Sequence, residues 1–359
     1  LHFQLNIYLK QYKRELKMDK SSQVLDLAAV EKYLRLHLRE FKGPLDAKKF
    51  ETGQSNPTFL LNTPSRNYVL RRKPTGVLLK SAHAVEREFR VQKALSETNV
   101  PVATMLHLCE DNAVIGSSFY IMDHVNGRNF VEPTLTKLDH DSRRLVINEM
   151  ARILAELHKV DIDLVGLSDY GPSGNYFERQ LARWSKQYLL TQTQPIVAMD
   201  QLMSLLQTQM PADDGQRSLV HGDYRIDNMI FQHNGTSCQA LLDWELSTIG
   251  HPYADLAAVI MQWQMPPGQE GRGLAGVDRK ELGLPTDQQF IDTYCEYRGL
   301  KVIENFKFYL AFSFFRMAAI LQGVLKRAVE GNASNPGHAQ KLGEFVPVFA
   351  QKGLETLVK

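Results

Sequence analysis

LVHGDYRIDNMIF, residues 219–231, is the stretch on which this chain turns. Leu219 and Val220 lead into it and Met229, Ile230 and Phe231 lead out, so both flanks have the texture of buried strand. Between them stand His221, Asp223, Asp227 and Asn228 around a single glycine. Downstream, Asn234-Gly235 is a hairpin signal, and the apolar run CQALLDWE (238–245) that follows carries Asp243. The hairpin should bring Asn228 and Asp243 to the same end of a small ribbon, gathering carboxylates and an amide oxygen. Hard oxygen ligands of this kind suit Mg²⁺, which takes the rest of its shell from water and phosphate oxygens. Asp223 is then left as the candidate base. Phosphoryl transfer asks little more of a protein than positioning, charge neutralisation and orientation of the attacking oxygen. On these residues alone a polar hairpin in a helical domain competes with that reading, so the upstream sequence has to decide.

The bulk properties narrow the field. At 359 residues, 43% hydrophobic and 23% charged, the chain is globular and long enough for two lobes. A net charge of +2 gives no global field to draw it onto nucleic acid or anionic lipid. Cys109, Cys238 and Cys295 are scattered and odd in number, which predicts neither a disulfide framework nor a zinc site. Uninterrupted apolar runs fall short of the roughly 20 residues of a membrane span. Residues 1–17, LHFQLNIYLKQYKRELK, show no signal-peptide pattern and are set aside as an extension ahead of Met18. The expectation is a cytoplasmic protein without a nucleic-acid or membrane partner.

Asp26 is placed to cap a helix carrying Leu27, Val30, Leu34, Leu38 and Phe41, stopped by Gly43 and Pro44. From about 48 to 125 the runs KKFETGQSNPTFLLNT, NYVLRRKP and SSFYIMDHV read as strands, interrupted by one helix in SAHAVEREFRVQKALSET. After Gly127 the pattern turns helical: DSRRLVINEMARILAELHKV shows a stripe of Leu145, Met150, Ile153, Leu154 and Leu157. NYFERQLARWSKQYLL and MDQLMSLLQTQM follow. The predicted organisation is an α+β, bilobal chain: a small antiparallel β lobe over 18–125 and a larger helical lobe over 126–359.

HGDYRIDN resembles the catalytic loop of the aminoglycoside phosphotransferase and choline kinase-like families, relatives of the protein kinases, whose H-R-D-x-x-x-x-N has the same Asp-to-Asn spacing. LLDWE and GHPYADLA resemble the two segments that follow it in those families. The resemblance implies a protein-kinase-like fold, with Asp223 as catalytic base and Asn228 and Asp243 as metal ligands. It also implies that His221 supports the loop and that Asp255 braces it. Where the family often has Asp, this chain has His251.

The resemblance extends upstream. FETGQSNPTFLL would cover the nucleotide phosphates, with Gly53, Gln54, Ser55 and Asn56 offering donors. It carries one glycine where a protein kinase has three. A phosphate-contacting cation belongs at the end of the strand YVLRRKP, and Arg71 and Lys73 share one face there by period two. On the next helix the apolar stripe is Val85, Phe89, Val91 and Leu95. At about 100° per residue Glu88 falls inside it and Glu86 outside. A charge on a buried face needs a partner, so Glu88 is expected to pair with the strand cation and Glu86 to be solvated. The resemblance also implies Met122 behind the nucleotide base, with the Asp123 carbonyl and Val125 N–H at its edge. ATP is the expected nucleotide, and the sequence does not separate it from GTP.

The acceptor is less legible. An aminoglycoside or choline-like alcohol kinase is one possibility, but the C-terminal part shows no acidic cluster to hold a polycation. FETGQSNPTFLL, LRRKPTGVLLKSAHAVEREFRV, GNYFERQLARWSKQY and TIGHPYADLA are similar to the kinase-like domain fused to some acyl-CoA dehydrogenase-family proteins, and to its free-standing bacterial relatives. That resemblance implies phosphorylation of a 4-hydroxyacyl-CoA, any dehydrogenase partner being a separate protein. Arg179, Arg183 and Lys186 share one helix face able to meet CoA phosphates, with Tyr176 and Trp184 as flanking aromatics, though a plain surface helix with core anchors would look similar. Arg316, set among Phe and Met, is either paired or facing a site. A nucleotide-binding scaffold without turnover is the reading from outside the enzyme class.

Overall fold

The computed structural model describes residues 25–50, 56–74, 83–268, 272–332 and 335–358. They form two compact units, one running to Glu97 with Val102–Asn126, the other made of Thr98–Pro101 and the chain from Gly127 onward.

The first unit is built on a five-stranded antiparallel sheet. Helix α1 (Leu27–His37) precedes β1 (Asp46–Lys49), β2 (Thr58–Asn62) and β3 (Asn67–Arg72); α2 (Val85–Leu95) then leads to β4 (Met105–Cys109) and β5 (Phe119–Asp123). The strand order is β1-β2-β3-β5-β4. Central β3 has Tyr68, Val69 and Leu70 all buried, because each face of the sheet carries a helix. On one face Tyr68 and Leu70 join Val30 and Leu34 of α1 with Phe59, Leu61, Phe119 and Ile121. On the other, Val69 and Met122 join Val85 of α2 and Tyr120. Each such buried aliphatic or aromatic side chain contributes on the order of 2 kcal/mol. This alternation fixes the register, and register decides which face Arg71 takes.

Asp26 does cap α1, accepting from the Ala29 N–H at 3.0 Å. The helix ends at His37, earlier than its apolar spacing implied; Phe41 is buried beyond the helix rather than on it. Edge strand β4 was not among the expected strands, since its residues are half-buried up to Cys109 and show no alternation.

The second unit is mostly helical: α3 (His140–Lys159), α4 (Tyr176–Thr191), α5 (Val197–Thr208), α6 (Tyr253–Trp263), α7 (Arg279–Leu282), α8 (Asp287–Arg298), α9 (Phe306–Val329), α10 (Pro336–Gly343) and α11 (Phe345–Val358). Two strand pairs are set into it: β6 (Ser218–Val220) with β9 (Thr248–Gly250), and β7 (Met229–Phe231) with β8 (Cys238–Leu241). In α3 the expected stripe needs one correction. Leu145 is 49% exposed, and Val146 and Ile147 are buried in its place. Helix α9 packs against α4, α6, α10 and α11. It is long and apolar enough to cross a membrane by composition, which a count of uninterrupted apolar runs did not register; 72% of its most apolar window is buried within the protein.

Candidate active site

The opening motif folds as a loop between two different strand pairs. Entering strand β6 pairs with β9 rather than with the ribbon, and the leaving strand β7 forms the expected hairpin with β8 through Asn234-Gly235. In that hairpin Met229 lies opposite Leu241, and the Leu242 N–H donates to the Asn228 carbonyl oxygen at 2.8 Å. Asn228 and Asp243 therefore emerge at the same end of the ribbon. The run CQALLDWE is not strand throughout. It ends at Leu241, and Asp243 takes a left-handed conformation with φ 65° and ψ 59° before a short turn at Trp244–Leu246. A non-glycine residue held there is strained, and such strain concentrates at functional positions. The indole of buried Trp244 anchors the turn by donating to the Leu241 carbonyl oxygen at 2.9 Å.

The loop itself is braced from below by Asp255 on α6. Its carboxylate accepts from the His221 N–H at 2.7 Å and from the Gly222 N–H at 2.9 Å. Burial works to raise the Asp255 pKa, but hydrogen bonding and charge from His158, His221 and the Gly222 amide outweigh it and hold the group below the usual carboxylate range. His221 is fully buried; its Nε2 donates to the Leu242 carbonyl oxygen at 2.9 Å, and its Nδ1 accepts from the Asp223 N–H at 3.3 Å. The imidazole thus ties the Asp223 loop to the Asp243 turn and supports rather than reacts. Gly222 has φ +83°, and a Cβ there would meet the Leu246 carbonyl oxygen at 2.7 Å, so only glycine fits.

Asn228 donates from Nδ2 to the Asp223 backbone oxygen at 2.9 Å and to its carboxylate at 3.2 Å. With Nδ2 spent on oxygens that can only accept, Oδ1 is the Asn228 atom with lone pairs to offer a cation. The Asn228 amide oxygen and the carboxylate of Asp243, both borne at the same ribbon end, are hard donors of the kind that fits Mg²⁺, with Asp223 beside them as the base.

Arginines complete the surroundings, and the sequence reading missed two of them. Arg225 Nε lies 3.1 Å from Asp223 Oδ1, and its Nη2 lies 3.3 Å from Asp227. Asp227 is also paired with Arg272 at 2.8 Å. Burial raises the Asp227 pKa against the pull of both guanidiniums. The available signal was the period-two alternation Asp223, Arg225, Asp227; nothing local pointed to Arg272.

In the first unit, Glu88 on α2 is buried and meets three partners. Arg71 Nε lies 2.8 Å away, Asn56 Nδ2 donates at 2.6 Å and the Tyr120 hydroxyl at 3.1 Å. The structure pairs Glu88 with Arg71 and not with Lys73, and it places Asn56 in that network. Lys73 instead binds Glu86 at 2.8 Å, which corrects the expectation that Glu86 is merely solvated. Met122 lies in the apolar cluster on that face, with Val125 packed against it. The Asp123 side chain pairs with Arg66. Gly53, Gln54 and Ser55 lie outside the described residues.

Of the residues considered for the acceptor, Tyr176 is buried, and a Cβ on Gly250 would sit 2.7 Å from its ring. Arg179 is turned back onto the carbonyl oxygens of Ser173 and Gly174. The Arg183 guanidinium stands 5.2 Å from the Trp184 ring centre, and Arg316 approaches the same ring at 5.9 Å.

Comparison with known proteins gives a consistent picture. A family described as "Phosphotransferase enzyme family" matches residues 46–285. The chain is 42% identical to mouse acyl-CoA dehydrogenase family member 10 over 90% of its own length and 30% of that protein's. It is 39% identical to human acyl-CoA dehydrogenase family member 11 over 92% of its length and 43% of that protein's. The chain thus spans less than half of these relatives. A crystal structure from Ralstonia eutropha, whose assignment as an aminoglycoside phosphotransferase is itself provisional, superposes with a TM-score of 0.86 at 44% identity, covering 93% of this chain and 98% of that one. Aminoglycoside phosphotransferase APH(4)-Ia, in ternary complex with AMP-PNP and hygromycin B, shares the fold at a TM-score of 0.59 and 16% identity, over 91% of this chain and 98% of that one. With its motif loop, ribbon and five-stranded sheet all falling inside the matched span, the chain belongs to the phosphotransferase enzyme family and has the kinase-like fold of the aminoglycoside phosphotransferases.

Proposed function

We propose that this phosphotransferase moves the γ-phosphate of ATP, taken with Mg²⁺, onto a hydroxyl of a small molecule, and that the acceptor is a 4-hydroxyacyl-CoA. The observation that carries the reaction is the loop geometry: Asp223 half-exposed on a braced backbone, beside an Asn228 amide oxygen and the strained Asp243. Asp223 aligns the acceptor hydroxyl and accepts its proton as the oxygen attacks the γ-phosphorus. The new O–P bond forms while the bond to the β,γ-bridging oxygen breaks, releasing ADP. Asn228 and Asp243 would hold the metal, whose charge neutralises the phosphate oxygens. Arg71, fixed by Glu88, is the phosphate cation in this reading, and Met122, Asp123 and Val125 serve the nucleotide base.

The acceptor assignment draws on two further supports. The candidate acceptor residues include the guanidiniums of Arg183 and Arg316 gathered on Trp184, a poor receptor for a polycation. The longer relatives are named acyl-CoA dehydrogenases, which fits an acyl-CoA substrate. They carry the matching stretch within one longer chain, so the expectation of a separate dehydrogenase partner finds no support.

The test is transfer of the γ-phosphate from Mg-ATP to short and medium 4-hydroxyacyl-CoAs, to the free 4-hydroxy acids and to an aminoglycoside panel, with Asp223→Ala as control. Transfer to the CoA esters is the expected result. Transfer only to aminoglycosides would refute the acceptor while leaving the phosphotransferase chemistry intact.

A further inference from the structure

Helix α9 buries Phe312, Phe314, Phe315, Ala318 and Ala319 in the core of the second unit, yet Arg316 stands in the middle of that run. Its Nη2 donates to the Gly222 carbonyl oxygen at 3.3 Å, one residue before Asp223. Its guanidinium carbon lies 5.9 Å from the centre of the half-buried Trp184 ring. Its Nε is buried and has no hydrogen-bond partner among the described residues, and none of their carboxylates forms an ion pair with it. A guanidinium carries five N–H donors and keeps its charge at any ordinary pH. Arg316 is half-buried, so solvent compensates its charge only in part. The described residues supply no counter-charge, and a ligand can.

We propose that Arg316 is a specificity-determining residue that binds a carbonyl or anionic oxygen of the phosphoryl acceptor, next to the hydroxyl that Asp223 serves. The inference rests on the proposed reaction and sharpens it: acceptors are hydroxyl compounds that also carry an oxyanion or acyl oxygen, and polycations are disfavoured. The contact to Gly222 anchors the guanidinium to the backbone of the Asp223 loop, while the Trp184 face orients its plane. Nε is buried, so Nη1 is the nitrogen left to donate to an acceptor oxygen, from a planar, permanently charged group that lysine does not reproduce. Arg183 on the same indole adds to the positive field.

The experiment compares wild type, Arg316→Met and Arg316→Lys on matched acceptors. These are a 4-hydroxyacyl-CoA, its pantetheine thioester without the nucleotide phosphates, the free 4-hydroxy acid and a neutral diol of equal length. Arg316→Met is expected to raise the acceptor KM by about 10- to 100-fold, the range of a charged hydrogen bond. The KM for Mg-ATP should be unaffected, the diol should lose less than the esters do, and Arg316→Lys should recover part of the loss. Equal losses on the CoA ester and the pantetheine thioester place the contact on the acyl oxygen; a loss confined to the CoA ester would put it on a phosphate far from the hydroxyl and overturn the proposal. Equal losses on thioester and diol, or an acceptor KM that moves together with the ATP KM and the melting temperature, would overturn the proposal in favour of a structural role. Should wild type phosphorylate none of these acceptors, the reaction reading falls. Calorimetric titration of the pantetheine thioester into wild type and Arg316→Met then decides Arg316 separately, and equal binding or none to either protein overturns it.

Discussion

Arg71 meets Glu88 at 2.8 Å in the β-rich unit and Arg225 meets Asp223 at 3.1 Å in the motif loop, yet the two pairs differ in everything around the contact. Glu88 keeps 2% of its side-chain surface, and its two oxygens are taken up by Arg71, Asn56 and Tyr120. Asp223 keeps 33%, and among the described residues the oxygen that Arg225 does not hold meets the Asn228 amide alone. A carboxylate sealed from solvent can hold a neighbour in place but cannot reach a substrate's proton. One with open surface on a rigid backbone can. In the proposed reaction the Glu88 pair is therefore a positioning device, and Asp223 is the carboxylate open to the substrate.

The most direct way to break this contrast is Asp223→Ala. Losing a general base typically costs 10²- to 10⁴-fold, so turnover should fall by about a thousandfold or more, while calorimetric nucleotide affinity stays within about threefold. Near-normal turnover would end the assignment of Asp223 as base. Glu88→Gln should show the opposite split. Removing the charge takes the carboxylate from the largely buried Arg71 guanidinium, and stability should fall by about 3 kcal/mol in denaturant titration, the range for breaking a buried pair. Arg225→Met, at the half-exposed pair, should cost no more than about 1 kcal/mol in the same measurement. Equal losses would mean that the two pairs do the same work.

The brace beneath the loop gives a pH signature. Burial lowers the His158 pKa, against the raising effect of Asp255 3.5 Å away. Between that lowered value and the ordinary histidine pKa of about 6.5, the unfolded chain binds a proton that the folded one does not. Stability is therefore complete above about pH 6.5 and declines as pH falls through that window, by up to about 1.4 kcal/mol per pH unit for each such group. The depressed Asp255 acts in a lower window: its stabilisation is present above the unfolded value of about 3.9 and is lost as pH falls through the folded one. Thermal melts from pH 7 to pH 5 should show the first decline, and His158→Gln should flatten it. Buried His251, whose pKa is lowered as well, should keep part of the slope.

What could be read in the sequence was whatever a local period carries. The Asp223-to-Asn228 spacing and the Asn234-Gly235 turn are short-range, and they sufficed to put Asn228 and Asp243 at one end of a ribbon. Glu88 was legible because a charge inside an apolar stripe demands a partner. The period could not say which of Arg71 and Lys73 that partner is, because both stand on one strand face and only the three-dimensional approach of α2 selects. Arg272 reaches Asp227 across 45 residues of chain, and Arg316 reaches Gly222 across 94, so neither contact leaves a trace in spacing. Leu145 misled for a related reason. Helix α3 buries a broad arc including Val146 and Ile147, and a stripe drawn from leucines alone is rotated away from it.

The smallest expected effect tests that one ambiguity. Lys73 and Glu86 are 25% and 37% exposed and form a surface ion pair, for which measured contributions are about 0–1 kcal/mol. Lys73→Met should therefore leave the melting temperature nearly unchanged. If Arg71 is the phosphate cation, Lys73→Met should also leave the KM for Mg-ATP within about twofold, whereas Arg71→Met should raise it by about tenfold or more, the scale of a charge-assisted hydrogen bond. The reverse order would make Lys73 the phosphate contact. The Arg71–Glu88 pair would then serve α2 and β3 alone, and Glu86 would be the carboxylate that positions the cation.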